Sequence, residues 1–186
     1  MTVFNTARLI LAPAIPADAA ELKSLELDPE VMRYLNGGHA VDYSKPKVDT
    51  GFSMPRGTED HFWTARRKET LTFVGWFYFG PDSEGVAELG YRLTRAEWGQ
   101  GLAAEGAMAL VDWGFKTGLY DMVFASTMAV NQGSRRVMEK IGMKYVRTAY
   151  DKWPDPIPGS EQGEVKYGVT SAEWCKHRLD KTTSHL

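Results

Sequence analysis

Two periodicities divide the chain. Runs of alternating or continuous aromatic and β-branched residues predict strands, and runs with apolar positions at helical spacing predict helices. "TARLILAPA" (6–14) alternates and then meets proline, which gives a first strand. "IPADAAELKSLELD" predicts a helix starting near Pro16, with Asp18 and Glu21 in the first turn where the helix dipole favours acids. "PEVMRYLNGG" predicts a short second helix opened by Pro29 and closed by Gly37 and Gly38. Three strands follow at 60–68, 70–80 and 85–94, separated by "KE" and "PDSEG", as in an antiparallel meander. A helix over about 101–117, a strand at 120–130 and a helix at 132–142 come next. "MKYVRTAYD" and "GEVKYGVT" read as strands around a proline-rich loop at 152–162, and "SAEWCKHRL" as a closing helix. The order is mixed α+β, with no internal repeat and no linker, so residues 1–186 are expected to form a single domain.

Composition narrows the class. With 186 residues and 43% hydrophobic positions, the chain has enough apolar mass for a core. A net charge of −2 supplies no global basic field for nucleic acid. One cysteine, Cys175, excludes an internal disulfide framework. The sequence has neither a signal-peptide pattern nor 18 consecutive apolar residues, so a cytoplasmic protein with no membrane partner is expected. A homodimer is compatible with these numbers.

The stretch "AEWGQGLAAEG" (96–106) carries the chemical signal. A helix N-terminus exposes unpaired N–H groups and a partial positive charge. Glycine and alanine in front of it let an anion approach the backbone closely. A tight turn with small-residue helix packing is an equal alternative on the loop alone. Two common phosphate loops do not fit, because no lysine follows the glycines and no GxGxxG closes a first βαβ unit.

The surroundings sharpen the reading. "AELGYRLTRAEWGQGLAAEG" and "NQGSRRVMEKIGM" resemble the GNAT family of N-acetyltransferases, most of all the branch containing the acetyltransferases of ribosomal-protein N-termini. In the family's loop pattern, Gln/Arg-x-x-Gly-x-Gly/Ala, Gly101 and Ala103 fill the last two places, and Trp98 in the first departs from the general pattern but is ordinary for this branch. Asn131, Ser134, Lys140 and Gly142 fill a second pattern about 30 residues on. The resemblance spans nearly the whole chain. It implies a mostly antiparallel mixed sheet, splayed between the fourth and fifth strands, with helices on both faces. It also implies acetyl-CoA as co-substrate; no metal is expected, because no His/Cys/Asp spacing supports a metal site.

On this resemblance, the pyrophosphate lies on the backbone of Gly99, Gln100, Gly101, Leu102, Ala103 and Ala104, beside Trp98. The pantetheine arm runs along Tyr91, Arg92 and Leu93, and the Asn131 amide bonds it. Asn131 is equally suited to capping the helix at 132. Many family members carry a tyrosine seven residues after the asparagine; here that position is Met138. Ser134 is therefore the candidate partner of the leaving thiolate, with an ordinary first-turn helix residue as the alternative. Backbone N–H groups near Leu93 suit the oxyanion.

Glu88 is the candidate base. Counted back from Leu93, it sits one residue out of phase with the position other branches use, which a β-bulge would restore. A structural salt bridge is its alternative role. Asp151 and Asp155 are rival acids, and a water chain is another route for the proton. The acceptor is an amine, either a small molecule or a peptide N-terminus. The loops 37–59 and 152–162, with Trp63, Trp76, Tyr78, Trp153 and Asp155, are candidates for its pocket. His39 and His61 have no metal-ligand spacing around them. A module that binds acyl-CoA without turning it over is the competing function.

Overall fold

A computed structural model describes residues 2–35, 38–44, 55–150 and 156–183. Its frame is one sheet of eight strands: β1 (Phe4–Asn5), β2 (Leu9–Pro13), β3 (Phe62–Arg67), β4 (Phe73–Ser83), β5 (Val86–Leu93), β6 (Met122–Met128), β7 (Lys144–Ala149) and β8 (Glu164–Thr170). Their spatial order is β1-β2-β3-β4-β5-β6-β8-β7. Every neighbouring pair is antiparallel except β5 and β6. Those two are parallel because α3 (Leu102–Lys116) carries the chain back between them.

The expected elements form, with shifted ends. The first strand is preceded by β1, a two-residue strand that alternation cannot reveal, so the fourth and fifth strands of the sequence reading are β5 and β6. The first helix enters through a 3-10 turn at Pro16–Asp18 and becomes α1 (Ala19–Leu27). The second helix shrinks to one turn, α2 (Pro29–Met32), capped by the Asp28 side chain on the Glu30 N–H at 2.9 Å. α4 (Gln132–Lys140) and α5 (Ser171–Thr183) complete the set.

Each face of the sheet has its own core. On one, Phe62, Phe73 and Trp76 pack against Leu22 and Leu25 of α1. On the other, Trp63, Ala65, Val74, Phe77, Phe79, Leu89 and Leu93 pack against Leu102, Ala107, Leu110 and Val111 of α3. Phe73 and Trp76 share a face although they are three positions apart, an odd spacing. The reason is a register shift between Ala65 and Arg66 opposite Gly75, whose φ of 151° accommodates the extra residue. α3 lies close on the sheet through Gly106 and Gly114, where any Cβ would collide with the rings of Phe77 and Phe79.

The parallel ladder between β5 and β6 is short. It pairs Val86 with Met122, Ala87 with Val123 and Glu88 with Phe124, and then ends. β5 runs on to Leu93 and β6 to Met128 without a shared rung, so the sheet forks immediately after Glu88.

Candidate active site

The fork leads to the glycine loop. After β5, a 3-10 turn at Arg95–Glu97 brings the chain to Trp98, whose indole N–H donates back to the Leu93 carbonyl at 2.9 Å. Trp98 thus closes the turn and leaves the loop backbone facing outward. Gly99 and Gly101 have φ of 73° and 79°, the left-handed region that side chains rarely enter. A Cβ on Gly99 would meet nothing within 4 Å, so the approach to its backbone is open. Gly101 caps α3, and the first intrahelical bond runs from the Glu105 N–H to the Gly101 carbonyl at 3.1 Å. The N–H groups of Leu102, Ala103 and Ala104 therefore lack intrahelical acceptors. The side chains of Leu102 and Ala104 are buried in the core, so these residues offer only backbone to a ligand.

Sequence reading missed what holds this loop. Arg8 donates from Nη1 to the Gln100 carbonyl at 2.9 Å and pairs through Nε with Glu105 at 2.7 Å. Glu105 also accepts from the Thr6 hydroxyl at 2.6 Å and the Arg8 N–H at 2.7 Å. Burial pushes the Glu105 carboxyl up, but the Thr6 and Arg8 hydrogen bonds outweigh it and hold the group below the usual carboxylate range. A first-turn acid is thereby turned away from the helix mouth. The Gln100 side chain bonds Arg67 and the Ala96 carbonyl, so it shapes the loop from behind. Lys140 Nζ stands 3.3 Å, and Arg8 Nη2 3.7 Å, from where a Gly101 Cβ would sit. Two cations thus flank the loop. Lys140 belongs to a spotted motif; Arg8 lies 97 residues from Glu105, and no local pattern announces the pair.

On the helix side of the fork, Tyr91 reaches from β5 to α4. Its hydroxyl donates to the Ser134 carbonyl at 3.1 Å and lies 3.0 Å from Ser134 Oγ. Burial raises the phenol to about 12, against the lowering effect of the Ser134 bond. Asn131 caps α4: Oδ1 accepts from the Ser134 N–H at 3.2 Å, and Nδ2 donates to Thr127 Oγ1 at 3.0 Å. Met138 is fully buried in the core. The phenol near Ser134 therefore comes from the opposite wall of the fork, not from α4.

On the other face, Glu88, Gly90 and Arg92 point away from α3. The β4–β5 register is regular from Leu93 back to Ala87, so there is no bulge at Glu88. Glu88 nonetheless lines a cavity of about 300 Å³ at the base of the fork, together with Asp82, Phe124, Ser126, Glu164 and Lys166. Burial raises the Glu88 carboxyl and Asp82 adds to it, while Arg56 and Lys166 pull the other way. Arg92 lies over the Trp76 ring at 5.1 Å and pairs with the buried Glu26 at 3.3 Å. Burial lowers the Arg92 guanidinium and Glu26 opposes the shift. Glu26 also accepts from the Tyr43 hydroxyl and from the Arg56 N–H at 2.9 Å, which ties the segment before β3 to this face.

Of the aromatic acceptor candidates, Trp63 turns into the α3-side core and bonds the Thr2 carbonyl at 2.8 Å. Trp76 and Tyr78 lie on the Glu88 face. The two candidate loops meet: a Cβ on Gly38 would lie 3.2 Å from Ile157. Asp151, Trp153 and Asp155 lie outside the described residues. Among the described residues, no group of three His, Cys, Asp or Glu is placed to hold a metal ion, and no helix is long and apolar enough to cross a membrane.

Comparison with known proteins agrees with this geometry. Residues 8–144 match the family model described as Acetyltransferase (GNAT) domain. The FsC-acetyl coenzyme A-N(2)-transacetylase of Aspergillus fumigatus is 31% identical over 96% of this chain and 80% of its own length. RimJ of Mycobacterium smegmatis, solved in complex with CoA-disulfide, superimposes with a TM-score of 0.71 at 18% identity, covering 97% of this chain and 94% of that one. The ribosomal-protein-S5-alanine acetyltransferase of Vibrio fischeri gives 0.67 at 15% identity, covering 94% and 99%.

Proposed function

The chain belongs to the GNAT acetyltransferase family, and from that premise we propose that it transfers an acetyl group from acetyl-CoA to a primary amine by direct attack. The observation that carries this reading is the fork. It opens beside the glycine-capped N-terminus of α3 on one face and a cavity lined by carboxylates and cations on the other.

The residues present fit the co-substrate. The backbone of 99–104, with free N–H groups at a helix mouth and open space over Gly99, would hold the pyrophosphate. Residues 91–93 offer an unpaired strand edge for the pantetheine arm. Acetyl-CoA supplies an activated thioester, and the chain's own residues supply position, charge and proton handling.

Glu88 is the group to take the amine's proton. Burial holds its carboxyl above the ordinary carboxylate value, which strengthens it as a base. Ser134 is the side chain that would meet the leaving sulfur, and its Oγ is held at 3.0 Å from the Tyr91 hydroxyl. Ser134 would stabilise the thiolate by hydrogen bonding, and Tyr91 would hold Ser134 in place. Backbone N–H groups near Leu93 suit the oxyanion. The relative named as an N(2)-transacetylase supports nitrogen as the nucleophile.

The test is thiol release from acetyl-CoA across a panel of small amines and peptide N-termini. Amine-dependent release supports the proposal. Binding of acetyl-CoA without release would favour a binding module.

A further inference from the structure

The cavity at the base of the fork is charged asymmetrically. Asp82 and Glu88 approach it from the β4–β5 side, whereas Arg147 and Lys166 approach from β7 and β8 and outnumber the one carboxylate there, Glu164. Lys166 and Arg147 are register partners across the β7–β8 pair. Like charges directly opposite each other on antiparallel strands repel. Among the described residues neither is joined to a carboxylate in an ion pair, although Glu164 lines the same cavity. The Lys166 ammonium instead lies over the Phe124 ring at 3.3 Å, folded back toward the fork. Phe124 is the register partner of Glu88. Two strand spacings, roughly 10 Å, separate the backbones of β5 and β8, and the reach of Lys166 over Phe124 shortens the gap between the charges.

From this juxtaposition we infer that the acceptor amine carries a carboxylate close to the nitrogen, as an α-amino acid does. Glu88 receives the amine end, and Lys166 with Arg147 receives the carboxylate. The cavity of about 300 Å³ suits such a head group. The repulsion between the two cations, which no ion pair among the described residues offsets, is relieved by the bound anion. This inference rests on the acetyltransferase reading above and adds the chemical class of the acceptor.

The test compares three acceptors of one skeleton: an α-amino acid with an apolar side chain, its methyl ester, and the decarboxylated amine. Thiol release from acetyl-CoA is measured for each. The amino acid should exceed both others in kcat/KM by at least tenfold. Lys166→Gln and Arg147→Gln should each reduce that ratio below about threefold. The split should appear in acceptor KM, with acetyl-CoA affinity unchanged by calorimetry. Similar kcat/KM for all three acceptors, or a ratio untouched by both substitutions, overturns the inference and leaves the transferase reading intact. Turnover of none of them, nor of any amine in a wider panel, while acetyl-CoA binds, overturns the transferase reading and this one with it.

Discussion

The Tyr91 hydroxyl sits 3.0 Å from Ser134 Oγ, across a fork whose two walls share no backbone rung. β5 and α4 are thus joined by side chains at the point where the sheet opens. The pair places a hydroxyl on each wall beside the path assigned to the thioester.

Ser134→Ala should lower kcat by about tenfold or more, because it removes a donor used as charge develops on sulfur. The KM for acetyl-CoA should move less than twofold. Tyr91→Phe should give a smaller kcat loss. The double variant should be little worse than Ser134→Ala alone, since the two act as one unit. Steady-state kinetics on the three variants check this, and additive losses would separate the two residues.

Ala103→Glu puts a side chain and a negative charge at the mouth of α3. Acetyl-CoA affinity measured by calorimetry should fall at least tenfold, about 1.4 kcal/mol. Unchanged affinity in a folded variant would move the pyrophosphate elsewhere.

Much of the fold was legible in the sequence, because turn chemistry punctuates strands whose residues are strongly β-forming. The glycine loop at the start of α3 was legible for the same local reason, three glycines around a helix start. What escaped was non-local or too short to show a period. β1 has two residues, and the bulge at Gly75 reverses the alternation inside an aromatic-rich run where both faces are apolar. Arg8 with Glu105 and Tyr91 with Ser134 are pairs 97 and 43 residues apart. The concern over Glu88's phase came from counting side-chain parity alone. The structure keeps that parity without a bulge and places the fork's cavity on the face Glu88 already occupies.

Glu88→Gln probes the base. The carboxyl must be ionised to accept a proton, so kcat/KM should rise with pH along an acid limb set above the ordinary carboxylate value. The variant should lose that limb together with most of the rate. A folded-state pKa above the unfolded one means that the ionised form costs stability at pH 7 and that the cost disappears below about pH 4.5. The Gln variant should therefore melt higher at pH 7 and converge with the parent as pH falls. An acid limb unchanged in the variant would place the base elsewhere.

Glu105→Gln has the opposite sign. The folded carboxyl lies below its ordinary value, so its stabilisation is present at neutral pH and fades as pH drops through the folded pKa. Denaturant unfolding at pH 7 should show a loss of about 1–3 kcal/mol, smaller at pH 3. Acetyl-CoA binding should weaken as well, because Arg8 then loses the partner that holds it on Gln100. Weaker binding at full stability would show that Glu105 acts on the loop alone.

The most direct test follows an isotopically labelled acetyl group from acetyl-CoA in the presence of an accepted amine, with intact-mass analysis of the protein in the same reaction. The account predicts the label on the amine nitrogen, one thiol released per acetyl transferred, and a protein mass that never changes. Label held on the protein would contradict direct attack, and acetyl-CoA bound but left intact with every amine would contradict catalysis itself.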